Sequence, residues 1–474
     1  MKDSIEKVES NEALTSDTST NGNVKLSLKE KISYGFGDFG NGFMFDLGQA
    51  YLTKFFIDAC GIGAGAVAGI FSITKIFDAF MDPIAGSAVD ARKAGKLGKF
   101  RPIMMISSII LGLLTVITFT MPDVAPSTKI IYAYATYMLW GLVYSFTNVP
   151  YGSLASVMTR NVEERSELAT YRQAGSLGAQ LITGVAFVPI LMMFSNPRVG
   201  YPIAATIMAV IGIGSFYVCF RNTKEHVKVN RTGKSEKATG KDYLKVVFTN
   251  RPLLALICMT IFTISAMNTN NQMMIFFCQY NLGSLAYQPI INLIMIGCSV
   301  AAIALIPKLV KMFGKKQTAM AGFIIGAVAN GLNFIIPTNF YTFIVLVTIG
   351  YVALAIPNGI TWAFVSDAID YGEWHTGIRK EGITYAAFNF SRKIAQSVAA
   401  LISAGVLGLT GYVANAKQTP ETLLGIKGAM TIYPALALAI AAIVVGLLYN
   451  LPDDKYRKIA KDLEEGKWEK GIIE

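Results

Sequence analysis

Charge is scarce in this chain. Asp, Glu, Lys and Arg make up 15% of its 474 residues, against 53% hydrophobic, and a soluble domain carries far more charge than that. Histidine is nearly missing: His226 and His375 are the two present, which argues against a histidine metal centre. The cysteines, Cys60, Cys219, Cys258, Cys278 and Cys298, stand apart from one another in or beside apolar runs. With no CxxC pair, free buried thiols are expected. No GxxxxGK(S/T) sequence occurs, so hydrolysis of ATP by a P-loop is not expected. No nucleophile–base set points to an enzyme. The glycine run Gly61 to Gly69 has no βαβ surroundings for a dinucleotide, and close helix packing is its expected role.

Apolar runs near 20 residues fill the chain, too long for the short alternating segments of a barrel. An all-α membrane protein with twelve transmembrane helices is expected, at about 33–57, 60–89, 102–121, 130–158, 168–195, 201–220, 253–277, 288–309, 317–336, 341–367, 383–410 and 428–450. The net charge of +11 comes from basic residues dispersed among short loops, which predicts membrane topology rather than nucleic-acid binding. One side collects about 33 Lys and Arg, the other about four: Lys129, Arg198, Lys417 and Lys427. Both termini are therefore expected in the cytoplasm, on a multi-pass protein of the cell membrane. Residues 1–24 are polar, with no cleavable signal, and Ser16 to Asn23 reads as disordered.

The long basic connection 221–252 divides the chain into two six-helix bundles, 31–220 and 253–450, with tails at 1–30 and 451–474. A weak echo links the halves: Gly98 to Arg101 follows span two, and Phe313 to Lys316 follows span eight. Paired bundles of six around a midplane site form the major facilitator architecture.

Charged residues inside the spans carry the functional reading. Lys75, Asp78 and Asp82 share a face of span two. At this depth they mark an ion or substrate path, or else a structural pair joining helices. Asp38, Asn41, Asp46 and Gln49 form a polar stripe on span one, continued by Lys54, which lines a cavity or serves as polar glue. Tyr144, Ser145 and Asn148 cluster on span four before Pro150, and Arg172, Arg392 and Lys393 add positive charge at depth. Arg172 either reaches that cavity or snorkels to the interface. Span seven carries Asn268, Asn270, Asn271 and Gln272, amides suited to a polyol or to a helix break. Trp140 and Trp362 could stack on a sugar ring or pack in the core.

Several motifs fall in order along residues 30 to 450: YGFGDFGN at Tyr34 to Asn41, FDAFMDP at Phe77 to Pro83, GKFRP at Gly98 to Pro102, NVPYGS at Asn148 to Ser153, RNVEER at Arg160 to Arg165, and DAIDYGE at Asp367 to Glu373. With these the chain resembles the glycoside–pentoside–hexuronide:cation symporters, the family of the melibiose permease, and most of all their glucuronide and xyloside carriers. The resemblance implies cation-coupled symport of a glycoside by alternating access, a uniporter or a non-transporting sugar sensor being the alternatives. It implies a cation site at Asp78, Asp82, Ser145 and Lys393. It places sugar contacts at Asn41, Gly42, Tyr144, Asn148, Gly152 and Arg172, with Gly42 and Gly152 standing where the family has a carboxylate and an aromatic; with the polar residues Asp38, Asp46, Asn389 and Lys393 these make up the expected sugar site. An acidic sugar would then take Arg172 or Lys393 as partner. Met81 replaces an amide near the cation, which leans the coupling ion toward H+ over Na+. No cofactor is implied; the partners are a small sugar, a monovalent cation and the bilayer, with a monomer as working unit.

Overall fold

The structure, a computed structural model, describes residues 25–92, 95, 97–159, 161–226, 246–377 and 380–468. The Ser16–Asn23 segment, Arg160, Arg379 and most of the 221–252 connection lie outside them. The described fold is all helical: α1 (Leu28–Lys54), α2 (Ala64–Ala91), α3 (Phe100–Thr118), α4 (Pro126–Met158), α5 (Val162–Met192), α6 (Pro197–Asn222), α7 (Arg251–Phe276), α8 (Tyr287–Phe313), α9 (Lys315–Ile335), α10 (Phe340–Thr376), α11 (Glu381–Leu409), α12 (Pro420–Met430), α13 (Ile432–Leu448) and α14 (Asp453–Glu464). Helices are what a chain with these runs must form, because lipid offers no partner for a free peptide group.

Their starts are written in polar caps. Ser27 and Glu30 form a capping box on α1, while Asn196, Asn250, Asn339 and Thr419 cap α6, α7, α10 and α12. Proline occupies the first turn of α4, α6, α7 and α12, where its missing N–H costs nothing. The expected last span is broken at Thr431 into α12 and α13, and α10 runs on to Thr376. Asp367, the last residue of the expected tenth span, is a buried residue well inside α10, paired with Lys315. Among the described residues, ten segments are long and apolar enough to cross a membrane. The long α1 and α4 are not among them, because they carry the central polar stripe.

The second half repeats the packing of the first. Helices α1 and α5, α1 and α6, α2 and α4, α3 and α4, and α3 and α6 pack together, as do α7 and α11, α7 and α13, α8 and α10, α9 and α10, and α9 and α13. The halves meet along α2–α11, α5–α8 and α1–α7. The glycine echo has a physical cause. Gly98 and Gly314 each adopt a positive φ just before α3 and α9, and a Cβ there would collide with Glu225 and Asp453 respectively. Glu225 accepts from the backbone N–H groups of Lys99, Phe100 and Arg101 at 2.8–3.0 Å, and Asp453 accepts from Lys315 N at 2.9 Å. In each half a carboxylate from beyond the last span neutralises the positive end of the third helix.

A second repeat lies at the opposite end. Both α1 and α7 finish in a π-helical turn, Phe55–Ala59 and Phe277–Asn281, followed by Gly61 and Gly283 at positive φ. The expected packing role of the Gly61–Gly69 run holds at Gly69, where a Cβ would come 3.0 Å from Tyr134 Oη, but not at its start. A Cβ on Gly61, Gly63 or Gly65 would meet nothing within 4 Å, so Gly61 serves its left-handed turn.

That end joins the halves. Lys54 pairs with Asp58, and its ammonium lies over the rings of Phe276 and Tyr280 at 4.7 and 5.4 Å. Tyr412 donates to Asp58 at 2.8 Å. One apolar cluster runs through the first half into the neighbouring ends of α7, α8, α10 and α11, whereas a second is confined to the other end of the second half.

Candidate functional site

Asp78 and Asp82 sit at the crossing of α2, α4 and α11. Asp82 is held from both halves: Ser145 Oγ of α4 donates to its Oδ1 at 2.6 Å, and Lys393 Nζ of α11 lies 2.7 Å from its Oδ2. The same ammonium donates to the backbone carbonyl of Asp78 at 2.7 Å. The Asp82 side chain is 36% exposed, while that of Asp78 is only 5% exposed, 3.6 Å from Lys75. Asp78 Oδ1 is buried with no hydrogen-bond partner. Gly141 on α4 allows this closeness, since a Cβ there would collide with the Asp78 carboxylate.

Lys75 is enclosed by aromatic rings. Its ammonium lies 5.0, 5.5 and 5.6 Å from the centroids of Phe45, Tyr137 and Trp140. Such a cage compensates part of the lost hydration of a buried cation, and sequence reading did not foresee it. Trp140 is thereby a core residue, 2% exposed, its indole N–H donated to Thr115 at 3.1 Å.

Across the cavity, Arg172 Nε of α5 pairs with Asp38 Oδ2 at 2.7 Å, and its guanidinium lies 5.0 Å from the Tyr151 ring. Asn41 Nδ2 approaches Asp38 Oδ1 at 3.3 Å and Asn148 Oδ1 at 3.1 Å. One connected network therefore holds Asp38, Asn41, Asn148 and Arg172, and Arg172 does not snorkel to an interface. Its side chain stays 34% exposed. Tyr144 stacks on Phe45 at 4.6 Å, beside that network. Gly42 faces Ala179 so closely that no side chain would fit. The Asp46 carboxylate, one turn on, carries no hydrogen bond or ion pair among the described residues.

On α11, Asn389 and Lys393 are four residues apart on one face, with Arg392 beside them. Asn389 is half-buried with no hydrogen bond among the described residues. Arg392 lies 5.6 Å from the ring of Trp362, which is 41% exposed. Sequence reading noted the depth of Arg392 but gave it no role; its azimuth, about 100° from Lys393 on a helix, was the available signal. Two of the span-seven amides are bonded within the fold. Gln272 accepts from Thr53 at 3.4 Å and Asn268 donates to Ile264 O, while Asn270 lines a small pocket with Asn330 and its Oδ1 is buried with no hydrogen-bond partner. Lys54, read as part of the central stripe, belongs to the far junction with Asp58.

Charged side chains from both halves thus converge on one region of the molecule. A family model described as MFS/sugar transport protein matches residues 33–453. The chain belongs to that family. This sugar transporter is 53% identical over 442 residues to the Bacillus subtilis (strain 168) symporter YjmB, covering 93% of this chain and 96% of the other. It is 35% identical to a candidate sulfoquinovose importer of Escherichia coli (strain K12), covering 94% and 95%. A glucuronide carrier protein homolog of the same organism is 32% identical, covering 94% and 97%. The fold is shared with a mutant of the nucleoside transporter NupG at a TM-score of 0.64 and 12% identity, covering 89% of this chain and all of that one. The glycoside–pentoside–hexuronide resemblance drawn from the motifs agrees with these relatives. The protein is a multi-pass membrane transporter and not an enzyme.

Proposed function

We propose that this transporter couples the entry of a monovalent cation to uptake of a glycoside by alternating access. The observation that carries the reading is Asp82, gripped by Ser145 from one half and Lys393 from the other. A cation neutralising the Asp78–Asp82 cluster weakens the hold of Lys393, so occupancy of the site biases the packing of the two halves. Sugar then binds among Asp38, Asn41, Asp46, Tyr144, Asn148, Arg172, Asn389 and Lys393, and the bundles 31–220 and 253–450 rock around it. Linkage makes the coupling reciprocal: sugar tightens cation binding by the factor that cation tightens sugar.

The coupling ion in this reading is H+. Sodium would need oxygens of Asp82 that Ser145 and Lys393 already engage, whereas a proton needs one carboxylate oxygen, and Asp78 Oδ1 is unpartnered. Both termini lie in the cytoplasm of a cell-membrane protein working as a monomer, with its closed end outward. The test is Asp78→Asn and Asp82→Asn in membrane vesicles. Both variants are expected to lose uphill accumulation of labelled sugar while retaining counterflow. Accumulation that survives both changes overturns the cation assignment. Exchange in the wild type without accumulation under any ion gradient identifies a uniporter, and binding without exchange a sensor.

A further inference from the structure

A groove of about 540 Å³ lies between α8, α9 and α10, reaching from the α8–α9 turn toward mid-membrane. Its cause is in the packing. Although α8 and α9 are consecutive, each packs on α10 far more than on the other. Helices α9 and α10 meet backbone to backbone at Gly322, where a Cβ would collide with Ala353 O and Pro357, so small residues make the floor. Leu309 and Phe313 of α8 form one wall, Ile349 and Val352 of α10 the other. Thr318 Oγ donates to Gly314 O at 2.7 Å and to Leu309 O at 3.3 Å, which fixes α8 against α9 beside the turn. The lining is apolar except for Gln317, Thr318 and Thr348. All three helices are long and apolar enough to cross a membrane, and Phe313, Ile325 and Ile349 are exposed. A groove in that setting faces hydrocarbon rather than water.

Positive charge stands at its mouth. Of the lysines around the α8–α9 turn, Lys315 pairs with Asp367, and Lys316 donates to Gly446 O and Tyr449 O at 3.1 and 2.8 Å. Both are engaged within the fold. Lys308 and Lys311, in the last turns of α8 close in sequence to Leu309 and Phe313, are exposed and make no ion pair among the described residues. Lysine stems carry their ammonium groups along apolar surface to the headgroup layer, and basic residues beside a span attract anionic lipid. We propose that this groove seats one acyl chain of an anionic phospholipid, whose phosphate is held by Lys308 and Lys311. The volume falls in the range of a ligand pocket, and the lining offers that chain almost nothing but hydrocarbon. Seated there, the lipid braces α8, whose Asn292 donates to Gly184 O of the other half at 2.8 Å. Lipid composition therefore acts on the α5–α8 seam.

The test places a fluorescent reporter at the mouth by Phe313→Trp. The variant is reconstituted in vesicles of phosphatidylcholine and phosphatidylglycerol, one or the other brominated on its acyl chains, and the wild-type tryptophan signal is subtracted. Brominated phosphatidylglycerol is expected to quench the reporter at a mole fraction on the order of tenfold lower than brominated phosphatidylcholine. Lys308→Gln together with Lys311→Gln is expected to bring the two lipids level. Ala321→Leu, which fills the groove from α9, is expected to weaken quenching by both. Tyr341→Trp, exposed at the opposite end of α10, is the control and is expected to show no preference. All these positions lie on the surface, and a monodisperse peak in detergent verifies the fold before quenching is read. Equal quenching by the two lipids at Phe313→Trp overturns the proposal, as does a preference that survives the double lysine change or recurs at Tyr341→Trp. Undiminished quenching in Ala321→Leu shows that the chain does not enter the groove, and overturns it as well.

Discussion

At the residue scale, the site depends on close approaches as much as on charges. Asp78 reaches the face of α4 because residue 141 has no side chain, and Ser145, one turn along, meets Asp82. Gly141→Ala therefore forces either the carboxylate or the helix to move. Overpacking of this kind costs about 1–3 kcal/mol, and the expected result is a lowered unfolding temperature in detergent together with loss of coupled accumulation. An unchanged unfolding temperature and full accumulation would show that α2 and α4 do not meet as described. Lys75 illustrates the opposite strategy. Three rings and one carboxylate surround it, so it has a structural environment and no free face for a ligand. The same distinction separates the tryptophans, with Trp140 enclosed and Trp362 open.

At the scale of elements, the paired π-helical turns are the feature with the clearest mechanical consequence. Each inserts an extra residue into the last turn of α1 or α7, and between them lies the junction of Lys54, Asp58, Tyr280 and Tyr412. The Asp58–Tyr412 bond joins α1 to the chain beyond α11, so it must break when that end of the molecule opens. Asp58→Asn removes the charge that holds Lys54 and weakens the hydrogen bond from Tyr412. The expected outcome is a larger population open at that end. Thr53→Cys, buried at the Gln272 contact, should then react faster with a membrane-impermeant maleimide in the Asp58→Asn background than in its absence. Equal labelling rates would mean that the junction does not control opening. The carboxylate caps of Glu225 and Asp453 work at the other end, where they tie α6 to α3 and the segment after α13 to α9.

At the scale of the whole molecule, charge balance governs what can cross. The central pairs and the Arg392–Asp46 remainder bring the empty cavity near neutrality. Adding a monovalent cation leaves one excess positive charge, which an anionic sugar would offset. Under the proposed coupling, one cation and one anionic sugar such as glucuronate would cross as a neutral load, whereas a neutral sugar would leave a net charge in a low-dielectric interior, where it is costly. Uptake of glucuronate is accordingly expected to be insensitive to membrane potential. Vesicles clamped with potassium and valinomycin check this, and a rate that rises with interior-negative potential would contradict the balance. The packing agrees with a molecule closed at one end: the continuous apolar cluster links the halves near the π turns, while Asp82 and Arg172 remain about one-third exposed.

Composition and periodicity were enough to determine a helical membrane protein, the depth of Asp78 and Asp82, and the repeat of two halves. Lipid leaves the backbone no alternative to helices, and buried charge in an apolar run has few meanings. The Gly98 and Gly314 echo was legible as a repeat, but its cause was not, because Glu225 and Asp453 arrive from far along the chain. Only the tertiary structure decided which charges were already spent. A helix period tells which residues share a face, and cannot tell that Arg172 finds Asp38 on another helix or that Lys54 finds Asp58 away from the cavity. Pairing is a property of the space between helices, and that space left Arg392 over Trp362 with no ion pair among the described residues.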